Sequence, residues 1–127
     1  MKRHTAQWVL KAEDDIESAR TLAALARPKR DVACFHCQRA AEKYLKALLQ
    51  ELGLIVPRTH ELNKLLNLLV RHDTTLAPLR RSVRSLTRYA VDFRYPGVRA
   101  TTRGMQAALR QAERVRTALR ARLGLPP

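Results

Sequence analysis

The stretch that decides the fold is DVACFHCQRAAEKYLKALLQELG, Asp31 to Gly53. On a helical wheel at about 100° per residue, Cys34, Cys37, Ala41, Leu45, Leu48, Leu49 and Leu52 fall on one continuous arc. That spacing predicts an amphipathic helix with a broad buried face. Asp31 is expected to cap its start, and Gly53 follows Leu52 as a C′ glycine does. Gln38 lies inside the apolar arc, and Glu42 and Lys46, at four-residue steps, run along its edge. A polar group that faces a core must find a hydrogen-bonding partner. The row therefore predicts a polar network at a helix–helix seam or in a cleft.

Helical patterns continue on both sides. A first helix is expected from Thr5 to Ala26, with Trp8, Ala12, Ile16, Ala19, Ala23 and Ala26 at three- and four-residue spacing. Thr5 would be its N-cap, and Pro28 cannot continue it. Its outward face carries Glu13, Asp14 and Glu17, which with Asp15 read as a solvated acidic face rather than a metal site. After the loop GLIVPRTHEL, a third helix is expected from His60 to Arg71, with Thr59 as N-cap and Leu62, Leu65, Leu66, Leu69 and Val70 as its stripe. A fourth runs from Pro78 to Phe93, with Leu79, Val83, Leu86, Ala90 and Phe93 sharing a face. A fifth runs from Thr102 to Leu123 and stops at Gly124 and Pro126, with Met105, Ala108, Leu109, Ala112, Val115 and Leu119 inward. Short loops between amphipathic helices predict an all-α, antiparallel up-and-down bundle of four to five helices.

Composition agrees with this and bounds the function. The chain has 127 residues, enough for one hydrophobic core. Leu and Ala are abundant, aromatic and β-branched residues sparse. No apolar run approaches the roughly 20 residues that span a bilayer. No signal-peptide pattern follows the basic start, so a cytoplasmic location is the default expectation. The formal net charge is +14 and it is uneven. Residues 80–127 carry 12 Arg, no Lys and 2 acids, whereas residues 1–79 carry 13 Lys/Arg and 9 Asp/Glu. Arg80, Arg84 and Arg88, with Arg81 beside them, share one face of the fourth helix. Arg103, Arg110 and Arg114 line up on the fifth. Arginine pairs bidentately with phosphate, so these stripes are a candidate polyanion-binding surface. Tyr89 and Tyr95 add rings on which unpaired bases can stack.

Other chemistry is thin. Cys34 and Cys37 form one C-x-x-C pair, but both sulfurs lie on the apolar arc and no second pair exists for a structural zinc. They read as small core hydrophobes. His4 and His72 look like surface residues, His36 falls on the polar side of its helix, and His60 starts a helix, where it can contact an anion. No phosphate-cradling glycine loop is present, and no cofactor or metal is expected.

Four segments in order, WVLKAEDDIESA, CFHCQRAAEKYLKALLQELG, THELNKLL and YAVDFRYPG, resemble the HEPN domain, the higher-eukaryote and prokaryote nucleotide-binding family. The resemblance covers Trp8 to Gly97 and implies a single helical-bundle domain over residues 1–127, commonly homodimeric. It implies a ligand-binding role for Gln38, Glu42, Lys46, His60, Tyr89, Arg94 and Tyr95. Alternatively, Gln38 or Glu42 simply ties down Arg94 inside the bundle. Many HEPN proteins sit beside a small nucleotidyltransferase in toxin–antitoxin-like modules. Others are metal-independent ribonucleases whose site is Arg, four to six residues, then His. Here the window after Arg94 holds Arg99, Ala100 and Thr101, and no His. Arg30 and His36 have suitable spacing, but not where the family places its motif. The expectation is a non-catalytic nucleotide- or nucleic-acid-binding subunit paired with a separately encoded nucleotidyltransferase. The alternatives are a ribonuclease toxin and a scaffold docking an acidic protein.

Overall fold

The computed structural model describes residues 1–92 and 95–127. Among them are five α-helices and no strand: α1 (Arg3–Ala23), α2 (Arg30–Glu51), α3 (Leu62–Val70), α4 (Arg80–Asp92) and α5 (Thr102–Arg122), with a 3-10 helix at Thr74–Leu79 before α4. Cross-helix bonds give the directions. Lys2 meets Glu51 and Tyr44 meets Glu13, so α1 and α2 are antiparallel. Arg122 meets Asp73 and Ser82 meets Gln111, so α4 runs against α5. The four long helices thus alternate in direction, with α3 as a short buttress.

The expected arc on α2 is buried from Cys34 to Leu49, while Leu52 at its end is 46% exposed. A second face was not expected. Ala33, Ala40 and Ala47 repeat every seven residues and are buried, as is Tyr44. They lie on the side of α2 that bonds α1, whose Ala12 and Ala19 are buried as well. Small side chains on both helices let the axes approach closely. So α2 is the central helix, covered by α1 on one side and by α3, α4 and α5 on the other.

Helix ends depart from expectation where local chemistry outweighs periodicity. α1 begins at Arg3, and Thr5 is buried within its first turn rather than capping it. α1 stops at Ala23, leaving Ala26 exposed beyond it. Asp31 does not cap α2; its carboxylate accepts from the Ala100 backbone N–H at 2.7 Å, anchoring the lead-in to α5. α3 starts two residues late, because Thr59 Oγ1 accepts from Glu61 N–H and leaves His60 in the preceding turn. The fourth helix is preceded by the 3-10 turn, which Asp73 caps by accepting from Thr75 N–H. Gly53 behaves as expected: at φ 74° it ends α2, and its N–H and that of Leu54 bond back to Gln50 and Leu49. Thr101 caps α5 and Gly124 follows it at φ 70°. The expected inward face of α4 is met by buried Val83 and Leu86 and partly buried Leu79. Phe93 lies outside the described residues, as does the side chain of Ala90.

The boundary of the buried arc is testable. Leu49→Ala should cost about 3 kcal/mol in urea unfolding, the usual loss for a buried leucine. Leu52→Ala, at the exposed edge, should stay within about 0.5 kcal/mol.

Candidate functional site

Gln38, Glu42 and Lys46 lie on the edge of α2 that faces the turn before α3, and the predicted network exists there. Gln38 is 2% exposed and its Nε2 donates to the His60 carbonyl at 3.2 Å. Glu42 is 3% exposed and sits at the centre. Its Oε2 accepts from Lys46 Nζ at 3.2 Å. Its Oε1 accepts from Arg39 Nη1 at 3.2 Å and lies 2.9 Å from His60 Nδ1. Lys46 is buried too, and its ammonium lies 5.4 Å from the centroid of the Trp8 ring on α1. A buried carboxylate with a buried ammonium, two further donors and a cation–π contact is a satisfied arrangement.

Arg39 has no signal of its own in the sequence. It lies one residue from Gln38, off the apolar arc, and periodicity gives it no special place. In the fold its guanidinium stacks over Phe35, 5.0 Å from the ring centroid, and its Nη1 lies 2.6 Å from His60 Nδ1. His60 Nδ1 therefore has two suitors. When it carries a proton it donates to Glu42; when bare it accepts from Arg39. The His60 side chain is 70% exposed, and Phe35 is 43% exposed. One side of the network thus opens to solvent as a cationic, aromatic surface.

A sequence model of the HEPN domain matches residues 5–122, almost the whole chain. The chain belongs to the HEPN family. A crystal structure described as ST0689, an archaeal HEPN homologue, is 28% identical, with a TM-score of 0.74 over 96% of this chain and 98% of that one. The crystal structure of TT1696 from Thermus thermophilus shares the fold at 22% identity, with a TM-score of 0.78 over 94% and 98% of the two chains. No curated protein matches significantly. HEPN membership supports a nucleotide- or RNA-related function.

The other predicted residues of this HEPN chain come from α4, α5 and the segment between them. Tyr89 is partly buried on α4, packed against the core. Tyr95 is 67% exposed beyond the end of α4, and Arg94 lies outside the described residues. On α4, Arg84 and Arg88 are exposed, while Arg80 is half-buried and donates to Asn67 Oδ1 at 2.6 Å. Arg103, Arg110 and Arg114 are exposed along α5. Cys34 and Cys37 are buried in the core. Burial, helped by nearby negative groups, pushes their thiols up to about 11 and about 12, so at neutral pH they stay protonated and behave as small hydrophobes. No helix among the described residues is long and apolar enough to cross a membrane.

The acidic residues of α1 correct one expectation. Glu13 and Asp15 are not a solvated face; they form charged seams with α2 and α5. Asp15 is 7% exposed, with its Oδ1 2.7 Å from His36 Nδ1 and its Oδ2 bonded to Lys43. So His36 is also tied to a neighbour helix rather than on an outer polar side. Glu13 accepts a bidentate pair from Arg116, Nε to Oε2 and Nη2 to Oε1, each at 2.8 Å. It also accepts from the Tyr44 hydroxyl at 2.5 Å, and Arg120 Nη1 donates to that hydroxyl at 3.1 Å. Arg116 holds the Glu13 carboxyl down to about 2, against the opposing effect of partial burial and with help from Tyr44. Burial, then the bond to Glu13, raises the Tyr44 hydroxyl to about 12.

Both networks can be probed by substitution. Glu42→Gln strands the buried Lys46 ammonium and should cost on the order of 3 kcal/mol in chemical unfolding. The double change Glu42→Leu with Lys46→Met should cost less than Glu42→Gln alone, because no fully buried charge is left without its partner. The Glu13 seam is read through pH. Glu13 has its folded-state value below the ordinary 4.5, so its stabilisation is full above 4.5 and is lost as pH falls toward about 2. Thermal melts over that range should show Glu13→Gln losing less stability with acidification than the wild type.

Proposed function

We propose that this chain is a non-catalytic HEPN subunit that binds nucleotides or nucleic acid through the open side of the Glu42 network. In this reading it is a cytoplasmic homodimer and works beside a separately encoded nucleotidyltransferase in a toxin–antitoxin-like pair. The observation that carries the reading is the Phe35–Arg39–His60 surface. Arg39 is stacked on an exposed ring and oriented by a buried carboxylate, which prepares its guanidinium for a phosphate or a base. Gln38, Glu42 and Lys46 set the geometry from below. Tyr89, Arg94 and Tyr95 would border the ligand from the end of α4. The arginines of α4 and α5 supply the long-range field of a chain with net charge +14.

One observation favours a second reading, metal-independent ribonuclease activity. His60 is exposed beside a guanidinium and a carboxylate, and its Nε2 makes no bond among the described residues. A histidine so placed can act as a general acid or base. By contrast Arg30 and His36 lie on different sides of α2, and His36 is engaged by Asp15.

The test is a titration of labelled ATP and labelled single-stranded RNA at about 50 and about 200 mM salt. Binding should weaken steeply at the higher salt, and Arg39→Ala should weaken it at both. No binding at low salt overturns the proposal. Cleavage of the RNA in EDTA, lost on His60→Ala, would establish the second reading instead.

A further inference from the structure

A groove of about 730 Å³ lies between the 3-10 turn that precedes α4 and the outer face of α5. Its apolar wall is Pro78, Leu79, Leu109 and Ala118. Leu79, Leu109 and Ala118 pack against the core, so the wall is held in place while only partly covered. Ser82, buried in the same lining, is already satisfied, because its hydroxyl donates to Gln111 Oε1 at 2.7 Å. Arg110 and Arg114 stand one turn apart on α5 at the lip, both exposed. Like charges at that spacing repel. Glu113 offers them no relief, because Arg20 of α1 holds it, with Nε donating at 2.9 Å. The half of the chain that forms this lip, residues 80–127, carries 12 Arg against 2 acids.

The chemistry of the groove selects its occupant. No aromatic ring lines it, so unpaired bases have nothing to stack on. Phosphates alone would meet the arginines and leave the apolar wall in water. No strand lies among the described residues, so no sheet edge there can take an extended peptide, and proline-rich segments need aromatic walls. A helix with an apolar stripe against the wall and carboxylates along the lip meets both demands. A second copy of the chain carries a weak version of that pattern, with exposed Leu10, Asp14 and Glu17 on one face of α1. At a net charge of +14, however, two copies repel each other, whereas an acidic protein is attracted.

We propose that this groove docks an acidic amphipathic helix of a partner protein. Its aliphatic side chains lie against Leu79, Leu109 and Ala118, and its carboxylates pair with Arg110 and Arg114. The inference stands apart from the nucleotide-binding reading of the Arg39–His60 surface.

The probe is a labelled synthetic helix of about 20 residues, with leucines on one face at helical spacing and glutamates beside them. A control peptide of the same composition has its leucines scattered over all faces. Both are titrated with the full chain by fluorescence anisotropy. The amphipathic peptide should bind, and the scattered one about tenfold more weakly or not at all. Joint Arg110→Glu and Arg114→Glu, at exposed positions, should weaken binding by about tenfold or more. Ala118→Trp fills the groove without changing its charge and should abolish peptide binding while leaving single-stranded RNA binding unchanged. Thr117→Trp, at the exposed rim, carries the same expectation if Ala118→Trp does not fold. Equal binding of the two peptides, or no binding of either, overturns the proposal. Loss of RNA binding in Ala118→Trp would assign the groove to nucleic acid instead. Self-association in sedimentation that Ala118→Trp abolishes would assign it to a second copy.

Discussion

A carboxylate cannot be buried in a helical bundle without partners, and Glu42 is buried at the middle of the helix that every other α-helix packs against. Its needs organise the surroundings. Lys46 must lie beneath it, Arg39 must reach across from the preceding turn, and the turn before α3 must bring His60 within 2.9 Å. Lys46, once buried, needs more than one contact, and Trp8 of α1 supplies a second. One charged atom pair thus connects α1, α2 and the entry to α3. Where the network reaches solvent, through Arg39 and His60, its groups are already oriented. That pre-orientation is what separates a binding surface from an ordinary cluster of surface charges.

A different solution holds α1 to α5. There the charges are opposite in sign on facing helices, and Glu13 lies in a forked pair with Arg116. Forked arginine–carboxylate pairs fix direction as well as distance. Tyr44, rising from the centre of α2, closes the gap between Glu13 and Arg120. The bundle is therefore aligned by two polar seams, with alanine-lined contacts between them.

How much of this could be read in the chain depends on the range of the signal. The α2 arc and Gly53 are local features, and periodicity and capping chemistry report them directly. The polar row was legible because Gln38 interrupts an apolar arc. Arg39 was not, since its significance depends on His60, 21 residues away. Glu13 and Asp15 looked like a solvated face for the same reason. A charged stripe on one helix has the same spacing whether water or another helix covers it, and their partners lie as far away as Arg116. The 3-10 turn before α4 was hidden because Pro78 fits a helix start of either kind. The tyrosines at the end of α4 carried a resemblance, and Tyr95 is exposed.

The central claim is that the Glu42 network presents Arg39 and His60 to a ligand. Nuclear magnetic resonance of the Arg39 Nε–H and the His60 ring, during titration with ATP or a short single-stranded RNA, tests it most directly. The account predicts that both signals shift and saturate together, at the midpoint of binding. Saturation of the protein by ligand with both signals unmoved would contradict it.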